Sequence, residues 1–285
     1  MNLRPRRTLL FMPGSNARAL EKAKTLAADG FIFDLEDAVA PDANAFARLQ
    51  IAAAVASRGY GRREILVRIN GLDTSLWMDD LATVVAAGPD GVVVPKVESA
   101  GQLKQVAGRL GGLPIWAMIE TPTGILHAAV IAAEARGAGV PLAGFIIGPN
   151  DIARETRMRM VKGRGPMLPA LSLCVFAARA SGIDILDGVY NDFSDNEGFV
   201  QECAQARDLG FDGKTLIHPS QIEACNAAFT PPAEEIARAR DIIAAFERPE
   251  NAGKGAIQIG GQMVERLHME MARRTVAIAE VMSDR

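Results

Sequence analysis

Two acidic residues, Glu120 and Asp151, end two apolar runs of the sequence, residues 114–120 and 144–151. Each run has the length and apolar character of a buried strand, and each gives way to turn residues at its carboxyl end. The stretch between the runs has the length of a crossover helix, which predicts that the two strands are parallel neighbours. Both carboxylates are then expected at one rim of the sheet. This arrangement predicts a Mg²⁺ site, with Mn²⁺ as the alternative ion, because Mg²⁺ is held by one or two carboxylates together with water and substrate oxygens.

Other polar side chains fall near the carboxyl ends of further predicted strands. They are Asp34, Glu36, Asp37, Arg68, Asn70, Lys96 and Glu98. Side chains alternate across a strand, so Phe31, Phe33 and Leu35 are expected to share a face that packs under helices. The residues between them point to the other face, which carries the acids. Buried charges need partners, so the acids are expected to pair with Arg68 and Lys96.

Strand and helix patterns alternate along residues 8–219. The predicted strands are 8–12, 31–37, 64–71, 91–98, 114–120, 144–151, 183–189 and 211–219. Eight such units predict an α/β protein with a (β/α)₈ TIM barrel, whose sites lie at the carboxyl ends of the strands. The alternative is an open, doubly wound sheet. Eight regular repeats without a Gly-rich phosphate loop favour the barrel.

Residues 231–285 exceed what a barrel needs. We therefore expect a catalytic barrel domain in residues 1–230 and a C-terminal helical extension in residues 231–285. A helix is predicted to reach residue 247, and after a Gly-rich link a final helix is predicted from Met263 to Met282. The extension is expected to act as a lid on a barrel end or to reach across to a neighbouring subunit.

Composition excludes several classes of protein. The chain has 285 residues, 49% hydrophobic and 23% charged, with a formal net charge of −3. This balance gives no sign of a nucleic-acid or membrane surface. The three cysteines are isolated and lack the spacing of a metal site. The basic start is followed by an apolar run too short for a signal peptide, so a cytoplasmic location is expected.

Eight short motifs lie at or near the ends of the predicted strands. They are RTLLFMPG (7–14), DLEDAV (34–39), RIN (68–70), PKVE (95–98), IETP (119–122), GPND (148–151), DGK (212–214) and IHPSQI (217–222). Together, and in this order, they resemble the HpcH/HpaI aldolase/citrate lyase family, in its citrate lyase β-like branch with the malyl-CoA and citramalyl-CoA lyases. The resemblance covers essentially the whole chain.

The resemblance implies a Mg²⁺-dependent lyase that cleaves a 3-hydroxyacyl-CoA thioester to acetyl-CoA and a 2-oxo acid. Carried over by motif, Glu120 and Asp151 bind the metal, and Arg68 binds substrate and stabilises an enolate oxygen. The remaining polar residues of the rim would hold metal-bound water or orient the cationic side chains; these are Asp34, Glu36, Asp37 and Lys96. A homo-oligomer, a trimer or a multiple of one, is also implied.

The general base is the point at which the sequence departs from the family. Relatives that act on CoA esters resemble one another in a C-terminal Gly-x-Met-Ile-Asp segment, whose Asp serves a neighbouring subunit's site. The matching stretch here is GQMVE, residues 261–265, which places Glu265 at the Asp position. Either Glu265 is the base with a longer reach, or the role has moved or been lost.

Several further residues have two interpretations. Arg7 either meets a CoA phosphate or lies on the surface. The basic run after Asp151 either binds CoA phosphates or is a solvated face; it comprises Arg154, Arg157, Arg159, Lys162 and Arg164. Asn150, in the Gly-Pro-Asn-Asp turn, is expected to approach the 2-oxo acid. His218 is expected to make a structural hydrogen bond.

Three other functions remain open. The chain could be the citryl-ACP-cleaving subunit of a larger lyase complex. It could be an aldolase acting on free 2-oxo acids, although that branch resembles proteins with a catalytic His near the first strand, and none precedes His127 here. A non-catalytic barrel scaffold is the last alternative, and the presence of Arg68, Glu120 and Asp151 disfavours it.

Overall fold

Eight parallel strands close into a barrel in the computed structural model, which describes residues 4–283. The strands are β1 (Thr8–Pro13), β2 (Gly30–Asp34), β3 (Glu64–Arg68), β4 (Gly91–Val94), β5 (Ile115–Ile119), β6 (Leu142–Ile147), β7 (Asp184–Asp187) and β8 (Gly213–Leu216). Each pairs with the next in the sequence, and β1 pairs with β8, where Thr8 lies opposite Lys214. The predicted TIM barrel is confirmed, and the open sheet is excluded.

Helices follow the strands. They are α1 (Ala17–Ala23), α2 (Asn44–Ala56), α3 (Trp77–Ala87), α4 (Ala100–Leu110), α5 (Pro122–Gly137), α6 (Pro149–Thr156), α7 (Leu168–Ser181), α8 (Asn196–Leu209) and α9 (Ile222–Phe229). Several begin at residues whose side chains accept a backbone N–H of the first turn. Asn16 accepts from Ala19, and Thr121 accepts from Gly124. Such caps satisfy donors that the helix itself leaves unpaired.

Two apolar layers result from the alternation of side chains along the strands. Phe31, Phe33 and Leu35 lie in the larger layer, between the barrel and the helices. The barrel interior is filled by Leu9, Ile32, Leu66, Val93, Trp116, Met118, Ile146 and Leu186. The predicted assignment of faces on β2 is therefore confirmed. Gly144 makes room for the largest interior side chain, because a Cβ there would lie 2.4 Å from Trp116 Cζ3.

The predicted sixth strand is too long. It ends at Ile147, and Pro149–Thr156 form the short helix α6. Pro149 is at the start of this helix, where a fixed φ and a missing N–H carry no penalty. Asp151 therefore lies in the first turn of a helix and not at the end of a strand.

A second compact unit contains the chain from Thr230 onward, together with Arg4 and Pro5, and the barrel unit is Arg6–Phe229. The second unit has two helices, α10 (Ala233–Glu247) and α11 (Arg266–Ser283), and a two-stranded antiparallel sheet of β9 (Ala256–Ile259) and β10 (Gln262–Glu265). Its own small core is formed by Ala245, Phe246, Ile257, Val264 and Met269.

The prediction that the last helix starts at Met263 is wrong, because residues 262–265 are a strand. The turn between the two strands is Gly260–Gly261, and both glycines have positive φ, 55° and 80°. Positive φ at both central residues is what a tight hairpin turn requires, and a Gly-Gly pair supplies it. Among the described residues, no helix combines the length and apolar character needed to span a membrane.

We expect Trp116→Ala to lower the free energy of unfolding of the barrel by about 3–5 kcal/mol, because it removes a fully buried indole and leaves a cavity. Urea titration followed by circular dichroism measures this change. Leu126→Ala is the matched control, since the Leu126 side chain is 77% exposed, and its effect should stay within about 0.5 kcal/mol. A loss below about 1 kcal/mol for Trp116→Ala would contradict the packed interior, given that such truncations normally cost several times more.

Candidate active site

Arg68, the last residue of β3, is held by the acid that lies beside it in the sheet. Asp34 ends β2 in register with Arg68. The guanidinium donates from Nε to Asp34 Oδ1 at 2.7 Å and from Nη2 to Oδ2 at 2.6 Å. Asp34 also accepts the backbone N–H groups of Glu36 and Ala38, each at 3.0 Å. A two-pronged pair with a fully engaged carboxylate fixes the plane of the guanidinium.

The remaining nitrogen of Arg68, Nη1, contacts two more acids. Glu36 Oε2 lies at 2.9 Å and Asp37 Oδ2 at 3.1 Å. The Phe11 ring lies 5.0 Å from the guanidinium carbon, in cation–π geometry. Burial disfavours the charged form of Arg68, but the carboxylates outweigh it and keep the pKa of Arg68 above its ordinary value. Arg68 is therefore a permanent, oriented positive charge.

Lys96 links this cluster to the next acid. Its Nζ lies 2.5 Å from Glu36 Oε1, while its backbone N–H donates to Glu120 Oε1 at 2.7 Å. Lys96 has φ of 51°, the left-handed conformation that non-glycine residues rarely adopt. Burial lowers the pKa of Lys96, but the Glu36 carboxylate outweighs it and leaves the pKa raised.

Glu120 follows β5 and is 2% exposed. Burial, with repulsion from Glu36, raises the pKa of Glu120 to about 8. Asp151 raises it further, whereas the Lys96 N–H and Arg68 lower it. Gly148 is needed beside this side chain, because a Cβ there would lie 2.4 Å from Glu120 Oε2.

The charged groups open onto a cavity of about 260 Å³. Arg68, Glu120 and Asp151 line it, and its apolar wall is formed by Phe11, Met118, Ile147, Val189 and Ile217. Asp151 is half-buried and pairs with Arg154 Nη2 at 2.7 Å. The two acids predicted from separate strands are therefore brought together with Arg68, although Asp151 arrives on a helix.

The donor set fits Mg²⁺. The pKa of Glu120 is raised first by burial and then by the negative charges of Glu36 and Asp151, and a divalent cation would favour the ionised carboxylate. Within residues 4–283, no group of three or more His, Cys, Asp or Glu side chains is arranged to hold a metal ion by itself. Two carboxylates suit an ion that takes its other ligands from water and substrate, as Mg²⁺ does.

Two residues that were predicted to bind substrate, Asn150 and Arg7, lie in different parts of the barrel. Asn150 lines the cavity, and its side chain exchanges hydrogen bonds with Asn191. Arg7 precedes β1, and its side chain pairs with Asp29, which precedes β2, at 2.9 Å. These positions lie at the amino-terminal edge of the barrel, opposite the cavity. Arg7 is therefore not part of this site.

The interpretation of residues 154–164 as a phosphate-binding run is wrong for Arg164. This side chain is 5% exposed and donates to Asp187 Oδ1 from Nη1 at 2.8 Å. Lys214 contacts both Asp187 Oδ2 and Glu202 Oε1 at 2.7 Å. The sequence did not lead us to predict this second buried network. Asp187 on β7 and Lys214, which lies in register with it on β8, could have indicated the network.

Glu265 is the last residue of β10, in the C-terminal unit, and is half-buried. Its backbone N–H donates to His268 Nδ1 at 3.0 Å. The assignment of Glu265 as a base remains a prediction. His218 makes a structural contact, with Nδ1 2.8 Å from Ser220 Oγ.

Comparison with known proteins identifies relatives along the full chain. Residues 7–219 match the family model for HpcH/HpaI aldolase/citrate lyase, and residues 167–283 match a C-C bond lyase of the TIM-barrel fold. A (3S)-malyl-CoA thioesterase of Cereibacter sphaeroides is 48% identical over 98% of this chain and 96% of its own. The citrate lyase subunit beta of Leuconostoc mesenteroides is 35% identical over 98% of this chain and 94% of its own.

Among solved structures, the protein CitE from Mycobacterium tuberculosis, in complex with magnesium, acetoacetate and coenzyme A, superposes with a TM-score of 0.80. It is 31% identical, and the match covers 98% of this chain and 100% of that chain.

We expect Glu120→Gln to stabilise the metal-free protein at pH 8 and to leave its stability unchanged at pH 4. The folded-state pKa of Glu120 is raised from 4.5 to about 8. Ionisation therefore costs folding free energy that is absent below the unfolded pKa, grows as pH rises, and is complete above the folded pKa. Thermal melting in EDTA measures both proteins at both pH values. An equal difference in melting temperature at the two pH values would contradict a charged, unrelieved Glu120.

Proposed function

Since the chain belongs to the HpcH/HpaI aldolase/citrate lyase family, we propose that it is a Mg²⁺-dependent enzyme that hydrolyses a 3-hydroxyacyl-CoA thioester of the malyl-CoA type. The observation that carries this proposal is that Arg68, Glu120 and Asp151 line one cavity. The choice of thioester is supported by the 48% identity to a (3S)-malyl-CoA thioesterase across 98% of the chain.

Glu120 and Asp151 would hold the metal, with Mn²⁺ as the alternative ion. When bound, Mg²⁺ acts as a Lewis acid toward the hydroxyl and carboxylate oxygens at the hydroxy-acid end of the substrate. Arg68 Nη1 would donate to the thioester oxygen in place of its contact with Asp37, the more exposed of its two acidic partners, because Nε and Nη2 are committed to Asp34. A charged donor fixed in advance stabilises the oxyanion that forms when water adds to the carbonyl carbon.

Hydrolysis requires that water lose a proton as its oxygen bonds to the thioester carbon. The carbon–sulfur bond then breaks, and the proton goes to the CoA thiolate, leaving malate and free CoA. We assign the removal of the proton from water to Glu265, in keeping with its position in the GQMVE segment. A carboxylate can serve as such a general base.

Carbon–carbon cleavage is the second candidate. In that reaction the substrate hydroxyl loses its proton, the bond between C2 and C3 breaks, and acetyl-CoA leaves as its enolate. Arg68 would stabilise the enolate oxygen in the same position as the oxyanion of hydrolysis. Similarity to the citrate lyase beta subunits, which covers 98% of the chain for the Leuconostoc protein, favours this reaction.

Product analysis with (3S)-malyl-CoA and Mg²⁺ decides between the two. We expect free thiol and malate to appear in equal amounts, and activity to vanish with EDTA. Arg68→Lys should reduce the rate by roughly 10²-fold or more, because an ammonium cannot reproduce the paired contact with Asp34 and the donor to the oxyanion together. Arg207→Lys, on the exposed face of α8, is the control and should retain activity.

Glyoxylate and acetyl-CoA as products would replace hydrolysis with carbon–carbon cleavage. Absence of either reaction on malyl-CoA, with Mg²⁺ bound, would direct the search to citramalyl-CoA or to an ACP-carried thioester.

Glu265→Gln should lower kcat by about 10²–10⁴-fold while leaving the affinity for Mg²⁺ unchanged, because a general base typically contributes that factor. Steady-state kinetics and isothermal titration with Mg²⁺ provide the two readings. Glu270→Gln, an exposed change elsewhere in the C-terminal unit, is the matched control. A loss smaller than about tenfold in kcat would remove Glu265 from the role of base.

A further inference from the structure

Lys96 is a half-buried residue of the site, and its backbone has a conformation that residues other than glycine disfavour. It follows β4 and has φ of 51°. Non-glycine residues in this region carry strain, and such residues persist only where the surrounding structure holds them. The connection from β4 to α4 must therefore contain the contacts that keep the backbone of Lys96 in place.

Gln102 provides those contacts. This residue lies in the first turn of α4, and its Oε1 accepts the backbone N–H groups of Glu98 at 2.7 Å and Ser99 at 3.0 Å. Its Nε2 donates to the backbone carbonyl of Lys96 at 3.3 Å. Both ends of one amide thus hold the four residues that precede the helix.

The held backbone contacts the Glu120 carboxylate through the N–H of Lys96. The Lys96 N–H donates to Glu120 Oε1 at 2.7 Å, which occupies one oxygen of that carboxylate. The other oxygen, Oε2, lies against Gly148. The direction of the Glu120 carboxylate therefore depends on where the peptide of Lys96 points.

A second glutamine makes the same kind of contacts at the carboxyl end of another strand. After β8, Gln221 Oε1 accepts the N–H groups of Ile217 at 3.1 Å and His218 at 3.2 Å, and its Nε2 donates to the Tyr190 carbonyl at 2.9 Å. Ile217 lines the cavity. A glutamine near the start of a helix thus holds the preceding loop on two sides of the barrel.

We propose that Gln102 is a positioning residue for the metal-binding carboxylate of Glu120 and acts through the backbone of Lys96. Gln102 touches neither metal nor substrate. It holds Lys96 in the left-handed conformation, and this conformation turns the Lys96 N–H toward Glu120. The inference rests on the proposed role of Glu120 as a metal ligand.

Isothermal titration of the purified full-length protein with Mn²⁺, without substrate, tests the proposal. Gln102→Ala should weaken Mn²⁺ binding by about tenfold, the lower end of what the loss of an outer contact to a ligand costs. Ser99→Ala is the matched control, because it removes the other half of the capping box, the bond from the Gln102 backbone N–H to the Ser99 side chain, and keeps the side-chain amide of Gln102. It should bind Mn²⁺ within about threefold of wild type, given that the contacts to the ligand are kept.

Two substitutions of Lys96 distinguish the effect of its backbone conformation from the effect of its side-chain ammonium. Lys96→Gly and Lys96→Ala both remove the pair with Glu36, but only glycine adopts positive φ without cost. Lys96→Gly should therefore bind Mn²⁺ more tightly than Lys96→Ala. Equal affinities, or tighter binding by the alanine variant, would overturn the proposal, as would wild-type affinity in Gln102→Ala.

The outcomes also separate this inference from the proposed function. If wild type and Ser99→Ala bind Mn²⁺ and Gln102→Ala binds it equally well, only the positioning role of Gln102 fails. If wild type binds neither Mn²⁺ nor Mg²⁺ and Glu120→Gln changes nothing, the metal site fails, and the positioning role fails with it.

Discussion

The site depends on an imbalance of buried charge at the carboxyl ends of the strands. Closure of the parallel barrel brings acids from several successive strands and loops to one rim, where they outnumber the cations. The acids are Asp34, Glu36, Asp37, Glu120 and Asp151, and the cations facing them are Arg68, Lys96 and Arg154. Arg68 pairs with Asp34, Glu36 and Asp37, whereas Glu120 is deeply buried, and this burial together with repulsion from Glu36 raises the pKa of Glu120 to about 8. A divalent cation is the natural complement of such a site.

The second buried network shows what a balanced cluster looks like in the same barrel. Asp187 and Glu202 face Lys214 and Arg164, two acids against two cations, with contacts of 2.7 to 3.4 Å. Burial raises the pKa of Asp187, but Lys214 and Arg164 outweigh it and hold the pKa below its ordinary value. The charges of this cluster balance one another, and the cluster ties the loop that carries Arg164 to β7, β8 and α8. Charge balance therefore distinguishes this network from the one around Glu120, where the acids are in excess.

The barrel, its two apolar layers and the meeting of Arg68 with Glu120 were predictable because they follow from a period of two and from parallel closure. The failures have local causes. Asp151 was placed on a strand because an apolar run does not show where Pro149 starts a helix. The hairpin before α11 was missed, although Gly260–Gly261 is a turn signal. Arg164 was placed among solvated cations because its partner, Asp187, is close only in the folded barrel.

The proposed arrangement of Arg68, Glu120 and Asp151 would serve either of two reactions. Hydrolysis and carbon–carbon cleavage both place negative charge on the thioester oxygen, and in the proposed mode of binding Arg68, whose orientation is fixed by Asp34, would meet that oxygen whichever bond breaks. The two reactions differ in the bond that breaks, carbon–sulfur in one and carbon–carbon in the other, and in the proton that the base removes, from water in one and from the substrate hydroxyl in the other. Because the same positive charge would stabilise both reactions, the proton that the base removes would decide which of them occurs. In the proposed role as base, Glu265 is one methylene longer than the Asp of the family pattern, which would change the reach of the base and leave the barrel as it is. Relatives of this chain named as thioesterase and as lyase subunit can therefore share one barrel while breaking different bonds.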